Sequence, residues 1–572
     1  MKKLKSKSNT PWIKFYSDEI KSQLPLKYSD SSMVGYLLEA VARYPENIAY
    51  EFYGYKCTYR ELYSKIKEAA KGLKTLGVKR GDKVSICMPN TPSSIIMFYA
   101  INMVGAIASM IHPLSAENEI ENYLNVSGST ILYVLDLLYS KVRIIIDTTS
   151  VKKVIVGSVG DDLKNYKKLI YKYNSRGKVP EIELSENIMT WKEFLNYGYD
   201  YDGEIVTLSK PEDPAIILYS GGTSGEPKGI LLSNLNFNSL ALQCHLAIEG
   251  AQPGNSILSI LPIFHGFGLG VCIHTPLCCG MKLILIPDFN PKKFANIINK
   301  YQPNILCAVP SLYESLTKVK MEKNGLKCVL EAISGGDYMS DTAKKKIDEY
   351  FMEHGSNTEI RIGYGLTEAS AATCVTPLNG YRKGSIGIPF PDMNYKIVRI
   401  GTHEEVPYGT DGEICINGPT VMLGYINNAA ATIQTLRKHS DGRMWLHTGD
   451  IGSMDEDGYV YYQQRLKRMI VSNGYNLYPS HIENIINGHP DVLTSIVIGI
   501  PDPKKVQVAK AFIVLKDGVE QSKDVLKSIK SHCEINLARY SLPSKYEFRE
   551  SLPKTLVGKV AYTKLEKEHT DK

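Results

Sequence analysis

Tyr219-Ser-Gly-Gly-Thr-Ser-Gly-Glu-Pro-Lys-Gly229 is the most specific segment of the chain, and it lies between two apolar, strand-like runs, Ala215–Leu218 and Ile230–Leu232. Its glycines let backbone N–H groups approach a phosphate closely, while its hydroxyls and one ammonium group supply further donors. It is not a Walker P-loop, because Pro227 separates the last internal glycine from Lys228. The order of residues predicts a phosphate-binding loop, and a solvated Gly/Ser-rich loop is the alternative.

The composition is that of a globular protein with more than one domain. Hydrophobic residues make up 43% and charged residues 22% of the 572 residues, and this length exceeds one typical domain. The net charge of +7 favours anionic ligands such as nucleotides, or peripheral contact with a membrane, and dispersed charge on a solvated surface is the alternative. No long Lys/Arg run carries interleaved aromatic residues, so nucleic acid is not an expected partner.

Cysteine usage and the apolar segments indicate a cytoplasmic protein. The 11 cysteines are scattered without a Cys-x-x-Cys pair, a pattern typical neither of zinc sites nor of a secreted disulfide framework. The basic residues 1–12 lack the apolar stretch of a signal peptide. The most apolar region, residues 257–287, is interrupted by histidines, glycines and a proline, so we expect core elements there and no transmembrane segment.

The first part of the chain alternates strand and helix patterns. Thr58-Tyr-Arg-Glu61 is a capping box, and it starts an amphipathic helix that ends at Gly77. This alternation predicts βαβ units and a largely parallel sheet. The next expected elements are a strand over Val84–Met88, a helix over Ser93–Ala108 and a strand over Thr130–Leu135, with further strands at 257–261, 282–286, 305–309 and 330–334.

The pattern changes twice in the second part of the chain. From about residue 395 to 462, short strands alternate with Gly, Asp and Pro turns, and Asp455–Tyr462 predicts a hairpin in a β-rich subdomain. Beyond Arg465 the patterns predict a compact α+β domain of roughly a hundred residues. Its expected elements are a capping box at Ser480–Glu483, strands over Thr494–Ile500 and Ala509–Leu515, a helix over about 522–537 and a strand near Tyr546.

Three further motifs follow the Gly-rich segment along the chain. They are Tyr364-Gly-Leu-Thr-Glu368, Trp445-Leu-His-Thr-Gly-Asp450 and Pro553-Lys-Thr-Leu-Val-Gly-Lys559. The four motifs together, in this order, resemble those of the adenylate-forming superfamily, which includes acyl-CoA synthetases, luciferases and peptide-synthetase adenylation domains. The Gly-rich segment resembles the phosphate loop of that superfamily. The resemblance runs from about Pro11 to Lys564, and it is closest to fatty-acyl and coumarate-type CoA ligases.

The resemblance implies an α/β fold with two domains and an active site in the cleft between them. A large N-terminal domain, residues 1–466, would contain parallel-sheet βαβ subdomains and a β-barrel-like subdomain at about 390–462. A small, mobile α+β C-terminal domain, residues 467–572, would follow. The resemblance places the hinge between the domains at Lys467.

The first two motifs would bind Mg·ATP. Tyr364 would stack on adenine, Gly365 would let the backbone approach the base, and Thr367 would contact phosphate. Glu368 would hold the magnesium ion together with Thr223, since hard oxygen ligands suit Mg²⁺. A strand end followed by a helix cap at Thr367 is the alternative for the second motif. The loop residues assigned to the nucleotide are Ser220, Gly221, Gly222, Thr223, Ser224, Gly225 and Lys228.

The last two motifs would contact ribose and the reacting phosphate. Asp450 can accept hydrogen bonds from both ribose hydroxyls, and an Asp that closes a turn after Gly449 is the alternative. Arg465 would contact ribose or phosphate, although Gln464 stands where the superfamily has glycine. Lys559 would stabilise the negative charge that gathers when a carboxylate attacks a phosphoryl group, and a solvated surface lysine is the alternative.

The acid and CoA sites are less distinct in the sequence. His265 resembles the residue that related acyl-CoA synthetases place beside the carboxylate, and a hydrogen-bonded core histidine is the alternative. Gly335 and Gly336 resemble a pocket wall that borders adenine, where missing side chains leave space for an acyl group. Asn473 and Gly474 resemble the segment that builds the pantetheine tunnel. The predicted catalytic residues are Lys559, Thr223, Glu368 and His265.

These resemblances imply an AMP-forming acid:CoA ligase that uses ATP, Mg²⁺ and CoA and makes an acyl-AMP intermediate. No Asp lies between Leu261 and Gly270 to pair with an amino-acid ammonium group, which disfavours amino-acid activation. Fatty and aryl acids both suit the apolar sequence. A standalone ligase that loads a carrier protein is one alternative, and a non-catalytic nucleotide-binding regulator is another.

Overall fold

Two compact units make up the chain. The computed structural model describes residues 10–164, 166–220, 228–472, 475–502, 506–553 and 560–570. Of the described residues, the first unit comprises those up to 394 and residues 417–438, and the second comprises residues 395–416 and those from 439 onward. The second unit thus joins the β-rich region to the C-terminal elements, and the domain boundary expected at Lys467 stays a prediction.

Strands occur throughout both units. In chain order they are β1 (Ile48–Phe52), β2 (Tyr55–Thr58), β3 (Lys83–Cys87), β4 (Ile107–Met110), β5 (Ile131–Leu135), β6 (Lys153–Gly157), β7 (Ile188–Thr190), β8 (Pro214–Ser220), β9 (Lys228–Ser233), β10 (Ser256–Ser259), β11 (Lys282–Leu285), β12 (Ile305–Ala308), β13 (Glu331–Ser334), β14 (Ile360–Tyr364), β15 (Cys374–Val375), β16 (Ser385–Pro389), β17 (Asn394–Val398), β18 (Gly412–Asn417), β19 (Gly424–Tyr425), β20 (Leu436–Lys438), β21 (Met444–Met454), β22 (Val460–Arg465), β23 (Ile470–Ser472), β24 (Tyr475–Leu477), β25 (Val492–Asp502), β26 (Val506–Leu515) and β27 (Lys545–Phe548).

Helices accompany these strands. In chain order they are α1 (Asp18–Gln23), α2 (Met33–Arg43), α3 (Tyr59–Thr75), α4 (Pro92–Met103), α5 (Glu117–Ser127), α6 (Tyr139–Ile145), α7 (Tyr166–Asn174), α8 (Trp191–Tyr197), α9 (Asn234–Ala247), α10 (Thr275–Cys278), α11 (Phe294–Tyr301), α12 (Pro310–Leu316), α13 (Asp341–Glu353), α14 (Ala429–Thr435), α15 (Pro479–Asn487), α16 (Lys523–Asn536) and α17 (Tyr562–Thr570).

Two largely parallel sheets form the first unit. One has the strand order β19-β9-β8-β4-β3-β5-β6-β7, and only its pairs β8–β9 and β9–β19 are antiparallel. The other has the order β16-β15-β14-β13-β12-β10-β11-β1-β2, with parallel pairs from β14 to β1. Parallel pairs need long crossover connections, and the helices supply them. The predicted βαβ organisation is confirmed.

The second unit contains smaller sheets that are mainly antiparallel. Strands β17, β18, β21 and β22 are neighbours in that order, with antiparallel pairs at β18–β21 and β21–β22. Strands β24-β23-β26-β25 form another sheet, and β27 adds to β26 in parallel. The helices α15 and α16 cover this sheet through an apolar core, which includes Ile482, Ile513 and Ile529. The predicted α+β character of the C-terminal region is confirmed.

The best-formed sequence signals correspond to the observed elements. Thr58 and Glu61 make both hydrogen bonds of a capping box, and α3 follows directly. The helix ends just before Gly77, whose φ of 82° favours glycine. The predicted hairpin over Asp455–Tyr462 is the turn between β21 and β22, where Met454 pairs with Val460.

The helix predicted over Ser93–Ala108 is wrong only for its last five residues. Helix α4 ends at Met103, and the chain turns at Gly105, which has a φ of 76°. Residues Ile107–Met110 form β4 instead, between β3 and β8 in the sheet. A continuous apolar run cannot distinguish a buried helix from a buried strand, and here the sheet pairing decides.

The capping box predicted at Ser480–Glu483 does not form. Helix α15 begins at Pro479, and no side chain caps its first turn. The Glu483 carboxylate instead accepts hydrogen bonds from Arg468 and, over 2.7 Å, from the N–H of Val497. A tertiary ion pair has therefore replaced the local bond.

The apolar region over residues 257–287 forms core elements, as predicted. It contains β10, β11 and α10, together with a π-helical segment over Phe267–His274 that is almost completely buried. Within the described ranges, no helix has the length and apolar character required to cross a bilayer.

Candidate active site

The second motif lies at the end of β14, where the chain makes a tight turn. A Cβ atom on Gly365 would lie only 1.4 Å from the carbonyl oxygen of Ala371, so glycine is required there. Ala371 itself has a φ of 114°, a strained value of the kind found at functional sites. Thr367 and Glu368 follow in a 3-10 turn, and Thr367 is the first residue of that turn rather than its cap. The turn thus gathers Tyr364, Thr367 and Glu368 at one strand end.

Glu368 is positioned by a residue that the sequence analysis missed. The hydroxyl of Tyr425 donates to Oε1 of Glu368 over 3.0 Å, and the N–H of Met422 donates to the Glu368 carbonyl oxygen over 2.9 Å. Nζ of Lys228 lies 4.7 Å from the centre of the Tyr425 ring. Tyr425 therefore connects the predicted Mg²⁺ ligand with the predicted phosphate-binding lysine. A bond to Oε1 leaves Oε2 as a hard oxygen for a cation.

Strand pairing fixes both ends of the predicted phosphate loop. Strands β8 and β9 are antiparallel neighbours, and Ser220 pairs with Lys228 across them. The hydroxyl of Tyr219, just before the loop, donates to the carbonyl oxygen of Tyr123 over 2.9 Å and lies 2.8 Å from the Ser109 hydroxyl. Five predicted loop residues and the side chain of Ser220 lie outside the described residues. The five residues are Gly221, Gly222, Thr223, Ser224 and Gly225.

Gly335 and Gly336 follow β13 and lie beside an aromatic ring. A Cβ atom on Gly335 would approach the Phe267 ring to 3.3 Å and the carbonyl oxygen of Gly363 to 3.1 Å. Gly336 has a φ of 80°, a value that favours glycine. The two glycines therefore let Phe267 pack closely against the ends of β13 and β14. The result is an apolar wall next to the turn that begins at Tyr364.

His265 has a defined local hydrogen-bond arrangement. Its N–H donates to the carbonyl oxygen of Pro262, and its Nδ1 accepts from the N–H of Phe267 over 3.3 Å. A neutral ring with this bond carries its hydrogen on Nε2. The core histidine of this segment is His274, which is fully buried and hydrogen-bonded to Tyr99. Burial lowers the pKa of His274 to about 3.

A buried ion pair holds β14 in place. Nη1 of Arg361 lies 3.2 Å from both carboxylate oxygens of Glu331 on the neighbouring strand β13. The same guanidinium donates to the carbonyl oxygens of Thr376 and Ala247 over 2.8 and 2.9 Å. Burial raises the pKa of the Glu331 carboxyl, although Arg361 opposes this shift. The pair fixes the register from which the turn at Tyr364 projects.

In the second unit, Asp450 and Arg465 are brought together. They are opposite each other on β21 and β22, and Nε of Arg465 lies 3.0 Å from Oδ1 of Asp450. The Asp450 side chain is 1% exposed and the Arg465 side chain 48% exposed. Arg465 also donates to the carbonyl oxygen of Thr448 over 3.2 Å. Asp450 thus lies within a paired strand and forms an ion pair, and its predicted contact with ribose stays a prediction.

Gln464, which stands where the superfamily has glycine, is fully buried on β22. Neither amide atom of its side chain has a hydrogen-bond partner among the described residues. Leaving a buried amide without partners costs free energy. The departure from the superfamily pattern therefore affects stability and removes no functional group.

The remaining predicted residues lie at the start and end of the C-terminal region. Lys467 is exposed in a 3-10 turn over Leu466–Arg468. The neighbouring Arg468 forms an ion pair with Glu483 and lies over the Tyr562 ring at 5.0 Å, so this turn is attached to α15 and α17. In this region, the predicted residues Asn473, Gly474 and Lys559 lie outside the described ranges.

The chain belongs to the AMP-binding enzyme family. The family model for AMP-binding enzymes matches residues 37–426, and the model for the AMP-binding enzyme C-terminal domain matches residues 481–559. The superfamily suggested by the four motifs is therefore confirmed.

Named relatives match almost end to end. The chain is 32% identical to a long-chain-fatty-acid–CoA ligase of Bacillus subtilis, over 99% of both chains. It is 31% identical to "Probable 4-coumarate–CoA ligase 1" of Dictyostelium discoideum, over 86% of this chain and 87% of the relative. The crystal structure of ATP-bound MatB from Rhodopseudomonas palustris has the same fold, with a TM-score of 0.82 at 23% identity over 95% of this chain and 99% of that one.

Proposed function

We propose that the chain is an ATP-dependent carboxylic acid:CoA ligase, an AMP-forming acid–thiol ligase that works through an acyl-AMP intermediate. The observation that carries this function is the contact of Tyr425 with Glu368, in the turn after β14, and with Lys228, at the start of β9. A carboxylate for Mg²⁺ and an ammonium group for phosphate are the groups that Mg·ATP requires. The lysine motif that ends at Lys559 disfavours a non-catalytic regulator, because nucleotide binding alone does not need it.

The reaction has two steps. First, a carboxylate oxygen of the acid attacks the α-phosphorus of Mg·ATP, so that a new O–P bond forms and pyrophosphate leaves. Second, the sulfur of CoA attacks the acyl carbon, a thioester forms, and AMP leaves with the bonding electrons while the thiol proton passes to solvent. The first step brings two anions together, so positive charge at the phosphates lowers its barrier.

We propose the following roles for the predicted site residues. Glu368 would bind Mg²⁺ through Oε2, while Lys228 and Lys559 would neutralise the phosphates. His265 would lie beside the carboxylate of the acid and help to orient it for attack. Asp450, with its charge balanced by Arg465, would accept hydrogen bonds from ribose.

A long-chain fatty acid is the proposed substrate class. The relative named for that activity matches 99% of this chain, whereas the relative named for coumarate matches 86%. The wall formed by Gly335, Gly336 and Phe267 offers apolar surface without polar side chains. CoA is the proposed acceptor, and a carrier protein that bears phosphopantetheine would present the same thiol.

A screen of carboxylic acids tests this proposal. Pyrophosphate release would be measured with palmitate, octanoate, coumarate and benzoate at equal concentration, first with CoA and then with a carrier protein as the acceptor. We expect the highest kcat/KM with palmitate and CoA. A preference for coumarate would overturn the substrate class, and release that requires the carrier protein would overturn CoA as acceptor.

We also propose that helix α7 makes a peripheral contact with a membrane. Its nine residues include none that is buried. Four large side chains at helical spacing, Tyr166, Leu169, Ile170 and Tyr173, are 52–74% exposed. The nearby lysines add positive charge, and an exposed apolar stripe beside lysines is typical of helices that lie on anionic lipid. These lysines are Lys164, Lys167, Lys168, Lys172 and Lys178.

Sedimentation with vesicles tests the membrane contact. We expect binding to vesicles of phosphatidylglycerol and phosphatidylcholine that weakens with salt and is lost in Leu169→Glu/Ile170→Glu. The control Met352→Glu/Ile535→Glu changes two exposed apolar residues elsewhere and should bind normally. Equal binding by both variants would contradict a role for α7.

We also propose a cytoplasmic location, because ATP and CoA are both available there.

A further inference from the structure

Three histidines of the second unit form a cluster that the proposed reaction does not use. His403 lies in the turn after β17, His439 begins the turn before β21, and His447 lies within β21. One nitrogen of each imidazole lies within 4.8 Å of the others. His439 and His447 are 4% and 5% exposed, whereas His403 is exposed. The cluster is therefore buried on one side and open to solvent on the other.

The hydrogen bonds of His447 prepare one ligand atom for an ion. Nδ1 of His447 donates to Oε2 of Glu413 over 2.8 Å, and this leaves the lone pair on Nε2. The same carboxylate accepts the N–H of Gly449 over 3.1 Å. A carboxylate behind the second nitrogen of a histidine is the arrangement that orients histidine ligands of metal ions.

Without an ion, Nε2 of His439 donates to Nε2 of His447 over 2.9 Å. In a tetrahedral zinc site with Zn–N bonds of about 2.0–2.1 Å, two ligand nitrogens lie about 3.3 Å apart. The two nitrogens would therefore need to move apart by only roughly 0.4 Å for an ion to bind between them. Nδ1 of His439 is buried and has no hydrogen-bond partner among the described residues, so the ring can carry its hydrogen there and turn the Nε2 lone pair to an ion.

His403 can complete the set from the solvent side. Its ring stacks on His439 with centroids 4.3 Å apart and planes 13° apart. Since the side chain is exposed, rotation can bring one nitrogen to the ion without disturbing the core. The three charged groups next to the cluster have a net charge of −1. Glu413 and Asp441 are anionic and Lys396 is cationic, and Lys396 lies 3.6 Å from Asp441.

We propose that His403, His439 and His447 bind one divalent transition-metal ion such as Zn²⁺, with Glu413 as the positioning carboxylate. Three imidazoles suit Zn²⁺ and similar ions and do not suit Mg²⁺, which prefers oxygen. Water would occupy the fourth position. The ion would fasten the turns at His403 and His439 to β21, the strand that carries Asp450.

Cobalt spectroscopy on the untagged full-length chain tests the site. Tetrahedral Co²⁺ absorbs visible light strongly, and we expect the signal to saturate at one ion per chain and to disappear when Zn²⁺ is added. His403→Gln and His439→Gln should each weaken Zn²⁺ binding in competition titrations at least tenfold. Glu413→Gln should weaken it by about 10- to 100-fold. His481→Gln, which changes an exposed histidine on α15, is the matched control and should bind normally.

A second readout keeps the test decisive if a buried variant folds poorly. Zn²⁺ binding should raise the Tm of the wild-type chain and of His481→Gln, but not of His403→Gln, whose exposed side chain is the least critical for folding. The proposal is overturned if the wild-type chain takes up no stoichiometric ion. It is also overturned if His403→Gln and His439→Gln bind Zn²⁺ as tightly as the wild type.

Discussion

Tyr425→Phe removes one hydroxyl and tests how the nucleotide site is organised. The lost bond is the 3.0 Å hydrogen bond to Oε1 of Glu368, while the ring that lies under Lys228 at 4.7 Å remains. A hydrogen bond to a charged group contributes about 1.5–3 kcal/mol, and we use the lower end because both residues are half-buried. About 1.4 kcal/mol corresponds to a tenfold change in rate. We therefore expect kcat/KM for ATP to fall about tenfold in acid-dependent ATP–pyrophosphate exchange, with the largest loss at low Mg²⁺.

Two further variants separate the hydroxyl from the ring. Tyr425→Leu should lose roughly another two- to fivefold, since a cation–π contact contributes about 0.5–1 kcal/mol. Tyr63→Phe is the matched control. Nζ of Lys67 lies 4.7 Å from the centre of the Tyr63 ring, the same distance as in the Lys228–Tyr425 pair, and Tyr63 is far in sequence from the motif that contains Glu368. Wild-type exchange by Tyr425→Phe at every Mg²⁺ concentration would refute the proposed link between Tyr425, Glu368 and the metal.

Three other substitutions test stability and ribose binding. Arg361→Met should destabilise the fold by about 3–5 kcal/mol in urea unfolding, because it leaves Glu331 unpaired. The pKa of Glu331 is raised by burial, so the loss should shrink as pH falls and the carboxyl takes up its proton; a pH-independent loss would contradict this reading. Gln464→Met should stabilise the chain by about 1 kcal/mol, and a lower Tm would mean that the buried amide has partners. Asp450→Asn should raise the KM for ATP about tenfold, since one charged acceptor of about 1.5 kcal/mol is lost, and unchanged ATP affinity in calorimetry would remove its ribose role.

The sequence predicted those features that depend on local pattern. The capping box of α3 and the hairpin between β21 and β22 need only neighbouring residues, and both were predicted correctly. The strand over Ile107–Met110 was not predicted, because its apolar run fits a helix as well as a strand. Only its pairing with β3 and β8 decides between the two. The bond that replaces the capping box at Glu483 likewise depends on Arg468, a distant residue.

In the candidate site, as in the fold, the sequence predicted individual residues but not the contacts that depend on strand pairing. The sequence motifs predict site roles for Tyr364, Glu368, Asp450 and Arg465, and these roles stay predictions. The sequence did not predict the contacts of Glu368 with Tyr425 or of Asp450 with Arg465. Tyr425 belongs to no motif and reaches Glu368 only because β19 pairs with β9. Asp450 and Arg465 were predicted separately, and their ion pair depends on the register of β21 and β22, which includes a bulge between Ile451 and Gly452.

Formation of acyl-AMP before CoA is added tests the central claim most directly. The chain would be incubated with palmitate and Mg·ATP without CoA, and pyrophosphate and enzyme-bound acyl-AMP would be quantified before a chase with CoA. We expect about one equivalent of each per active chain, followed by equal amounts of palmitoyl-CoA and AMP after the chase. Pyrophosphate release only after CoA is added, or formation of ADP and phosphate instead, would contradict the account.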